Sequence, residues 1–139
     1  MILDTNVLSA LMSVPPVAAV IQWMDEQAAD RLFITAITVA EVRYGLGIMP
    51  AGRRRTDLIT QADAMFGQDF RGRILSFDER AANAFGELSS HRRAIGRPIS
   101  ISDGYIAAIA KVHAMQIVTR NVKDFEELGL QLINPFETV

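Results

Sequence analysis

Residues 2–6, Ile-Leu-Asp-Thr-Asn, begin the chain with an apolar pair followed at once by three polar residues. Ile2 and Leu3 are typical of a short buried strand, and the polar residues after them are of the types that cap the first turn of a helix. The sequence therefore predicts a strand, followed by a helix over residues 7–12 with Thr5 or Asn6 as its cap. Asp4 then lies beyond the carboxyl end of a strand, where open parallel sheets bind their ligands.

Short apolar runs separated by helical patterns recur along the rest of the chain. This alternation predicts an α/β sandwich with a mostly parallel sheet. Further strands are expected at residues 32–35, 74–77, 117–119 and 132–133. Further helices are expected after Pro16 and over residues 39–46, 54–66, 78–95, 103–114 and 124–128. Within this scheme, Thr38 and Ser102 are the expected caps, and Gly45, Gly47 and Pro50 are expected to end the helix over residues 39–46.

Composition narrows the kinds of chemistry that this chain can perform. The 139 residues suit a single domain over residues 1–139 and include no cysteine and two histidines. Disulfides, thiolate metal sites and histidine-rich zinc sites are therefore excluded or disfavoured. The first residues lack a basic leader, and no apolar run approaches the roughly 18 residues needed to span a bilayer. We expect a soluble cytoplasmic protein without a membrane partner.

Four acidic residues occupy positions that suggest a metal site. Asp4 and Asp124 follow predicted strands, whereas Glu41 and Asp103 lie on helices that are otherwise rich in apolar residues. Carboxylates in apolar surroundings are costly unless they are paired or bound to a cation, and several together repel one another. Carboxylate and water ligands suit Mg²⁺ or Mn²⁺. The set of acids therefore predicts a site for one of these ions.

Each acid also has a simpler explanation when it is taken alone. Asp4 or Asp124 can cap a helix, Asp103 can favour the dipole of its helix, and Glu41 can face solvent. Tyr105 and Phe125, next to the predicted site, can either stack on a nucleobase or pack in the core. The metal-site hypothesis therefore depends on all four acids coming together in space.

Arginines are clustered although the formal net charge of the chain is only −2. Clustered basic residues are typical of nucleic-acid binding, but they also occur on ordinary solvated surfaces. The clusters are Arg53 to Arg55, Arg71 with Arg73, and Arg92, Arg93 and Arg97.

Four motifs follow one another in an order that is similar to the PIN-domain family, and most similar to its VapC-like and FitB-like toxins of type II toxin–antitoxin systems. They are Leu-Asp-Thr-Asn-Val-Leu-Ser at residues 3–9, Ile-Thr-Val-Ala-Glu-Val at 37–42, Ser-Asp-Gly-Tyr-Ile-Ala-Ala at 102–108 and Val-Thr-Arg-Asn-Val-Lys-Asp-Phe at 118–125. The resemblance covers nearly the whole chain. It implies a three-layer α/β/α sandwich and a metal-dependent endoribonuclease.

The resemblance also implies the roles of individual residues. Asp4, Glu41 and Asp103 would be catalytic acids that bind Mg²⁺ or Mn²⁺, with Asp124 as a fourth. Many relatives carry an acid directly after the Thr-Arg pair, where this chain has Asn121, so Asp124 takes that place here. Residues that orient the acids would be Thr5, Asn6, Thr119 and Asn121.

Partners follow from the same resemblance. It implies an RNA substrate, a homodimer, and a small antitoxin that blocks the site and through which promoter DNA is bound. A housekeeping RNA-processing nuclease and a subunit acting mainly in the DNA-bound antitoxin complex remain alternatives. An aspartate after the first strand is also the nucleophile of haloacid-dehalogenase-type enzymes. The Asp-x-Asp form of their phosphatases is not met, because Asn6 holds the second position.

Overall fold

Short parallel strands form the centre of the protein in a computed structural model that describes residues 1–137. Within that range the strands are β1 (Ile2–Leu3), β2 (Ile34–Thr35), β3 (Ile74–Leu75), β4 (Ile117–Val118) and β5 (Leu132–Ile133). The α-helices are α1 (Thr5–Met12), α2 (Ala18–Asp25), α3 (Ala36–Ile48), α4 (Arg53–Ala64), α5 (Glu79–Ala94) and α6 (Ile101–His113). Single turns of 3₁₀ or π-helix cover Ala29–Arg31, Met65–Asp69 and Val122–Phe125.

All the strand pairs are parallel. Strand β1 pairs with β4, β4 pairs with β5, and β2 pairs with β3. Phe33 joins the two ladders, because its carbonyl accepts from the Leu3 N–H at 2.8 Å and its N–H donates to the Met1 carbonyl at 2.8 Å. The strand order is therefore β3-β2-β1-β4-β5, which places the carboxyl ends of all five strands at one edge.

Each two-residue strand contributes to both faces of the sheet, because successive side chains point to opposite sides. Ile2 and Ile117 pack in one apolar cluster with α5 and α6. Leu3 and Val118 pack in another, with residues of α1 to α4. All four side chains are fully buried. The three-layer α/β/α sandwich is thereby confirmed.

The ends of α3 differ from the sequence prediction. The cap is Thr35 rather than Thr38, and its hydroxyl accepts from the Thr38 N–H at 3.2 Å. The prediction that Gly45 and Gly47 end this helix was wrong, because the helix continues through both as far as Ile48. It stops there because Met49, the next residue, has the extended backbone that a following proline favours.

The start of α6 also differs. Ser100, not Ser102, is the cap, and its hydroxyl accepts from the Asp103 N–H at 3.3 Å. Asp103 is therefore the third residue of the helix rather than the first. The predicted helix over residues 124–128 is a 3₁₀ turn at Val122–Phe125, which begins two residues and ends three residues earlier than predicted.

Among residues 1–137, none of the helices combines the length and the apolar character needed to cross a membrane.

Candidate active site

Asp4 is a buried acid at the carboxyl end of β1, only 5% exposed. It caps α1, since its Oδ1 accepts from the Thr5 N–H at 2.8 Å. Its Oδ2 accepts from the Thr119 hydroxyl at 2.8 Å and from Asn6 Nδ2 at 3.3 Å. The capping role and a place in a buried polar site are therefore both true of Asp4.

Thr119 and Asn6 tie the loop after β4 to the start of α1. Asn6 Nδ2 donates to the Thr119 hydroxyl at 3.2 Å, and Asn6 Oδ1 accepts from the Arg120 N–H at 3.2 Å. The Asn121 N–H donates to the Thr119 hydroxyl at 3.0 Å. Asn121 thus contributes its backbone to this network, and its side chain is exposed. Locked in this way, the carboxylate of Asp4 has little freedom to turn.

Glu41, half-buried on α3, is linked to the same region through Thr5. The Thr5 hydroxyl donates to Glu41 Oε1 at 2.7 Å and lies 3.0 Å from the Thr38 hydroxyl. Because a hydroxyl has one proton to donate, the Thr38 hydroxyl donates to Thr5. Glu41 is therefore tied to the site on one side through Thr5 and lines the open groove on the other. Thr38 is a site residue that sequence reasoning had assigned only to capping.

Burial raises the pKa of Asp4 to about 6. The hydrogen bonds from Thr119 and Thr5 oppose this shift, whereas the charges of Asp103 and Glu41 add to it. Burial is also the main cause of the raised pKa of Asp103. There the charges of Asp124 and Glu41 raise the pKa further, while the Ser100 hydroxyl and the positive charge of Arg92 lower it.

Asp103 and Glu41 therefore lie within electrostatic range of Asp4, and Asp124 and Glu41 lie within electrostatic range of Asp103. Asp124 is exposed and lies on the 3₁₀ turn Val122–Phe125, which Asn121 directly precedes. In residues 1–137, no three acidic or histidine side chains stand close enough to form a direct metal-binding cluster. Any ion bound here would therefore have to complete its coordination with water, as Mg²⁺ commonly does when one or two carboxylates hold it.

The two aromatic residues near the site are packing residues. Phe125 is 1% exposed and cannot stack on a base. Tyr105 packs against Phe77 and Phe85, with ring centroids 4.4 Å and 4.8 Å away.

The arginines of the predicted basic clusters have different environments. Arg92 is buried, Arg97 pairs with Glu126 at 3.3 Å, and Arg55 Nε donates to the Leu46 carbonyl at 2.9 Å. Arg54 is exposed and lines a groove of about 270 Å³ that also includes Thr5 and Glu41. The arginine clusters therefore do not form a single basic surface, and Arg54 is the member of its triplet in the groove beside Glu41.

A model of the PIN domain matches residues 1–130 of this chain. The chain belongs to the PIN-domain family. Among its PIN-domain relatives, the VapC ribonuclease Y4jK of Sinorhizobium fredii is 42% identical over 136 residues, or 98% of this chain and 97% of that protein. Toxin FitB of Neisseria gonorrhoeae is 34% identical, over 97% of each chain.

A solved PIN-domain structure, described as FitAB bound to the IR36 DNA fragment, matches with a TM-score of 0.93 and 34% identity. The match covers 99% of this chain and 96% of that one. The resemblance carried by the four motifs is thus confirmed. Membership of the PIN-domain family replaces the haloacid-dehalogenase alternative.

The raised pKa of Asp4 predicts how stability varies with pH in the absence of divalent metal. The native state keeps a proton on Asp4 up to about pH 6, whereas an unfolded aspartate loses it near 3.8. The native state therefore binds more protons in this window, and the free energy of unfolding falls as the pH rises through it. From this shift we expect a loss of roughly 3 kcal/mol.

Urea unfolding in EDTA between pH 4 and pH 7 measures this effect. Comparison of the wild type with Asp4→Asn isolates it from the titration of other acids. Identical pH profiles for the two proteins would contradict the assignment.

Proposed function

We propose that this chain is a metal-dependent endoribonuclease toxin that hydrolyses RNA phosphodiester bonds and is inhibited by a cognate antitoxin. The observation that carries the proposal is the buried carboxylate of Asp4, held by three hydrogen bonds within electrostatic reach of Asp103 and Glu41. Such a concentration of negative charge is costly without a cation. The names of the relatives, a VapC ribonuclease and the toxin FitB, support the same reading.

Asp4, Glu41, Asp103 and Asp124 are the residues that would hold Mg²⁺ or Mn²⁺. A bound ion would offset the charge that develops on the scissile phosphate and make a nearby water more acidic. Asp4 and Asp103, the two acids whose pKa burial raises, provide direct ligands in this proposal. Asp124, being exposed, acts through a water or toward a second ion.

The residues around these acids provide orientation. Thr119 and Asn6 fix the carboxylate of Asp4, and Asn121 fixes Thr119 through its backbone N–H. Thr5 donates to one oxygen of Glu41 and leaves the other free to accept from a water. Glu41 thereby positions the attacking water for in-line hydrolysis of the phosphodiester.

The test is cleavage of RNA by the purified chain with Mg²⁺ or Mn²⁺, with EDTA, and with the variant Asp103→Asn. We expect cleavage only by the wild type with metal, and RNA 5′ ends mapped after brief expression should show the same cut positions. Cleavage that persists in EDTA, or in Asp103→Asn at the wild-type rate, would contradict the proposal. A shared set of cut sites in transfer, ribosomal or messenger RNA would identify the target.

A second prediction concerns Arg54, the arginine in the groove that adjoins Glu41. In this proposal its guanidinium holds a phosphate next to the one being cleaved. We expect Arg54→Ala to raise the KM for RNA about 3- to 10-fold with little change in kcat, and to reduce the salt dependence of binding by about one charge. Arg71→Ala is the matched control, because Arg71 is also exposed but precedes β3, at the amino edge of the sheet. Equal effects of the two substitutions would contradict a specific role for Arg54.

We further propose that a small antitoxin covers this site, that promoter DNA is bound through the antitoxin, and that the chain forms a homodimer. The FitAB complex with DNA supports the first two parts, since it matches this chain at 34% identity. Expression of the chain alone should arrest growth, and co-expression of its cognate antitoxin should relieve the arrest. Tight binding of the antitoxin without growth arrest would favour a subunit that acts mainly in DNA binding. RNA cleavage with neither growth arrest nor antitoxin binding would favour a housekeeping nuclease.

A further inference from the structure

Arg92 is the one basic side chain that is buried in the described part of the chain. It lies on α5 and is 3% exposed. In residues 1–137 the salt bridges are made by Arg43 and Arg97, and Arg92 forms none. A guanidinium charge is expensive to bury without a carboxylate, so its retention in the core calls for a reason beyond packing.

All the hydrogen bonds of Arg92 go to backbone carbonyls. Nε donates to the Arg97 carbonyl at 2.6 Å, and Nη1 donates to the carbonyls of Asp124 at 2.8 Å and Glu126 at 3.0 Å. The planar fork of arginine can reach these separate acceptors at once, which lysine cannot do. Arg92 therefore connects α5 to the segment that carries Asp124.

Arg97 holds the same segment from its exposed side. Its Nη2 donates to the Lys123 carbonyl at 3.2 Å and to the Glu126 carboxylate at 3.3 Å. The side chain of Asp124 itself is exposed, so its position depends on how firmly its backbone is held. The two arginines form a clamp over residues 123–126.

We propose that Arg92 is a positioning residue of the nuclease: it fixes the backbone of Asp124 so that this carboxylate faces Asp103. The inference rests on the proposed function and adds a residue that lies outside the four acidic-site motifs. The positive charge of Arg92 also lowers the pKa of Asp103, so Arg92 acts on a second acid of the site. Arg92 touches no substrate and acts through Asp124.

The test combines Arg92→Gln, Arg92→Lys and Asp124→Asn with the matched control Arg93→Gln, whose arginine is the exposed neighbour on α5. The measurements are circular dichroism for folding, Mn²⁺ affinity by calorimetry, hydrogen exchange of the amides of residues 122–126, and RNA cleavage. We expect Arg92→Gln to weaken Mn²⁺ binding about 10-fold and to speed exchange in that segment. Arg92→Lys should have a smaller effect, and Arg93→Gln should match the wild type.

A double-mutant cycle separates positioning from a merely structural role. If Arg92 acts through Asp124, Arg92→Gln changes cleavage less than 2-fold when Asp124→Asn is already present. If the effects of Arg92→Gln and Asp124→Asn on cleavage multiply, or if folded Arg92→Gln binds Mn²⁺ as tightly as the wild type, this inference is overturned and the proposed function is not. Should Arg92→Gln not fold, the same cycle is run with Arg92→Lys. A wild type that neither binds Mn²⁺ nor cleaves RNA would overturn the proposed function, and this inference with it.

Discussion

Asp4→Asn is expected to lower the rate of RNA cleavage by a factor of about 10² to 10³, because it removes the charge of the most buried acid in the site. The substitution keeps the shape of the side chain but adds an NH₂ group where Asp4 now only accepts. One oxygen faces the Thr5 N–H, and the other faces the Thr119 hydroxyl and the Asn6 amide. The NH₂ group of the new asparagine would therefore face a hydrogen-bond donor whichever way its amide is turned.

Single-turnover cleavage at saturating Mn²⁺ is the measurement, with Mn²⁺ affinity measured separately by calorimetry. Asp30→Asn serves as the control, because Asp30 is an exposed acid in the turn Ala29–Arg31 at the amino edge of the sheet. The backbone carbonyl of its neighbour Arg31 accepts from the amino group of Met1 at 2.8 Å, on the side away from the carboxyl ends of the strands. Cleavage by Asp4→Asn at the wild-type rate would remove Asp4 from the chemistry.

Gly104→Val is expected to destabilise the protein by about 3 kcal/mol and to impair cleavage as well. Gly104 follows Asp103 on α6, where this helix crosses α5. A Cβ at this position would lie 2.7 Å from Cε2 of Phe85 and 3.4 Å from the Ser89 hydroxyl. The Phe85 ring cannot easily retreat, because Tyr105 packs against it with centroids 4.8 Å apart. The two helices must therefore separate, and Asp103 moves with α6.

The matched control is Gly86→Val, which makes the same change within the exposed face of α5. A Cβ there meets nothing within 4 Å, so only the small difference in helix propensity remains. Urea unfolding should show little loss of stability for Gly86→Val and a clear loss for Gly104→Val. Equal stability of the two variants would show that α5 and α6 can adjust to the larger side chain.

The regularities that could be predicted from the sequence are local. Apolar pairs such as Ile2 with Leu3 indicated the strands, and the acids at residues 78–79 indicated the start of a helix that Asp78 in fact caps. Helix ends were less predictable, since Ser100 and Ser102 are chemically equal candidates. The side chain of Ser100 is the one that reaches the Asp103 N–H. A glycine likewise ends a helix only if its backbone turns left-handed, and Gly45 and Gly47 do not.

The sequence likewise predicted only part of the candidate site. The order of four motifs was enough to nominate Asp4, Glu41, Asp103 and Asp124, but it could not indicate how the acids are supported. Thr38 reads as a cap in the sequence, yet its hydroxyl lies against Thr5, which is 33 positions away. Arg92 reads as part of a basic surface, yet it is buried against the backbone of a segment more than 30 positions away.

The sequence by itself determined the alternation of strands and helices, the family, and which acids lie beyond the strands, because each depends on short patterns along the chain. Only the tertiary structure decided which hydroxyls orient those acids, how far the pKa of Asp4 rises, and that Arg92 turns inward. Those properties depend on contacts such as the one between Thr119 and Asp4, 115 positions apart, and on the exclusion of water by helices packed on both faces of the sheet.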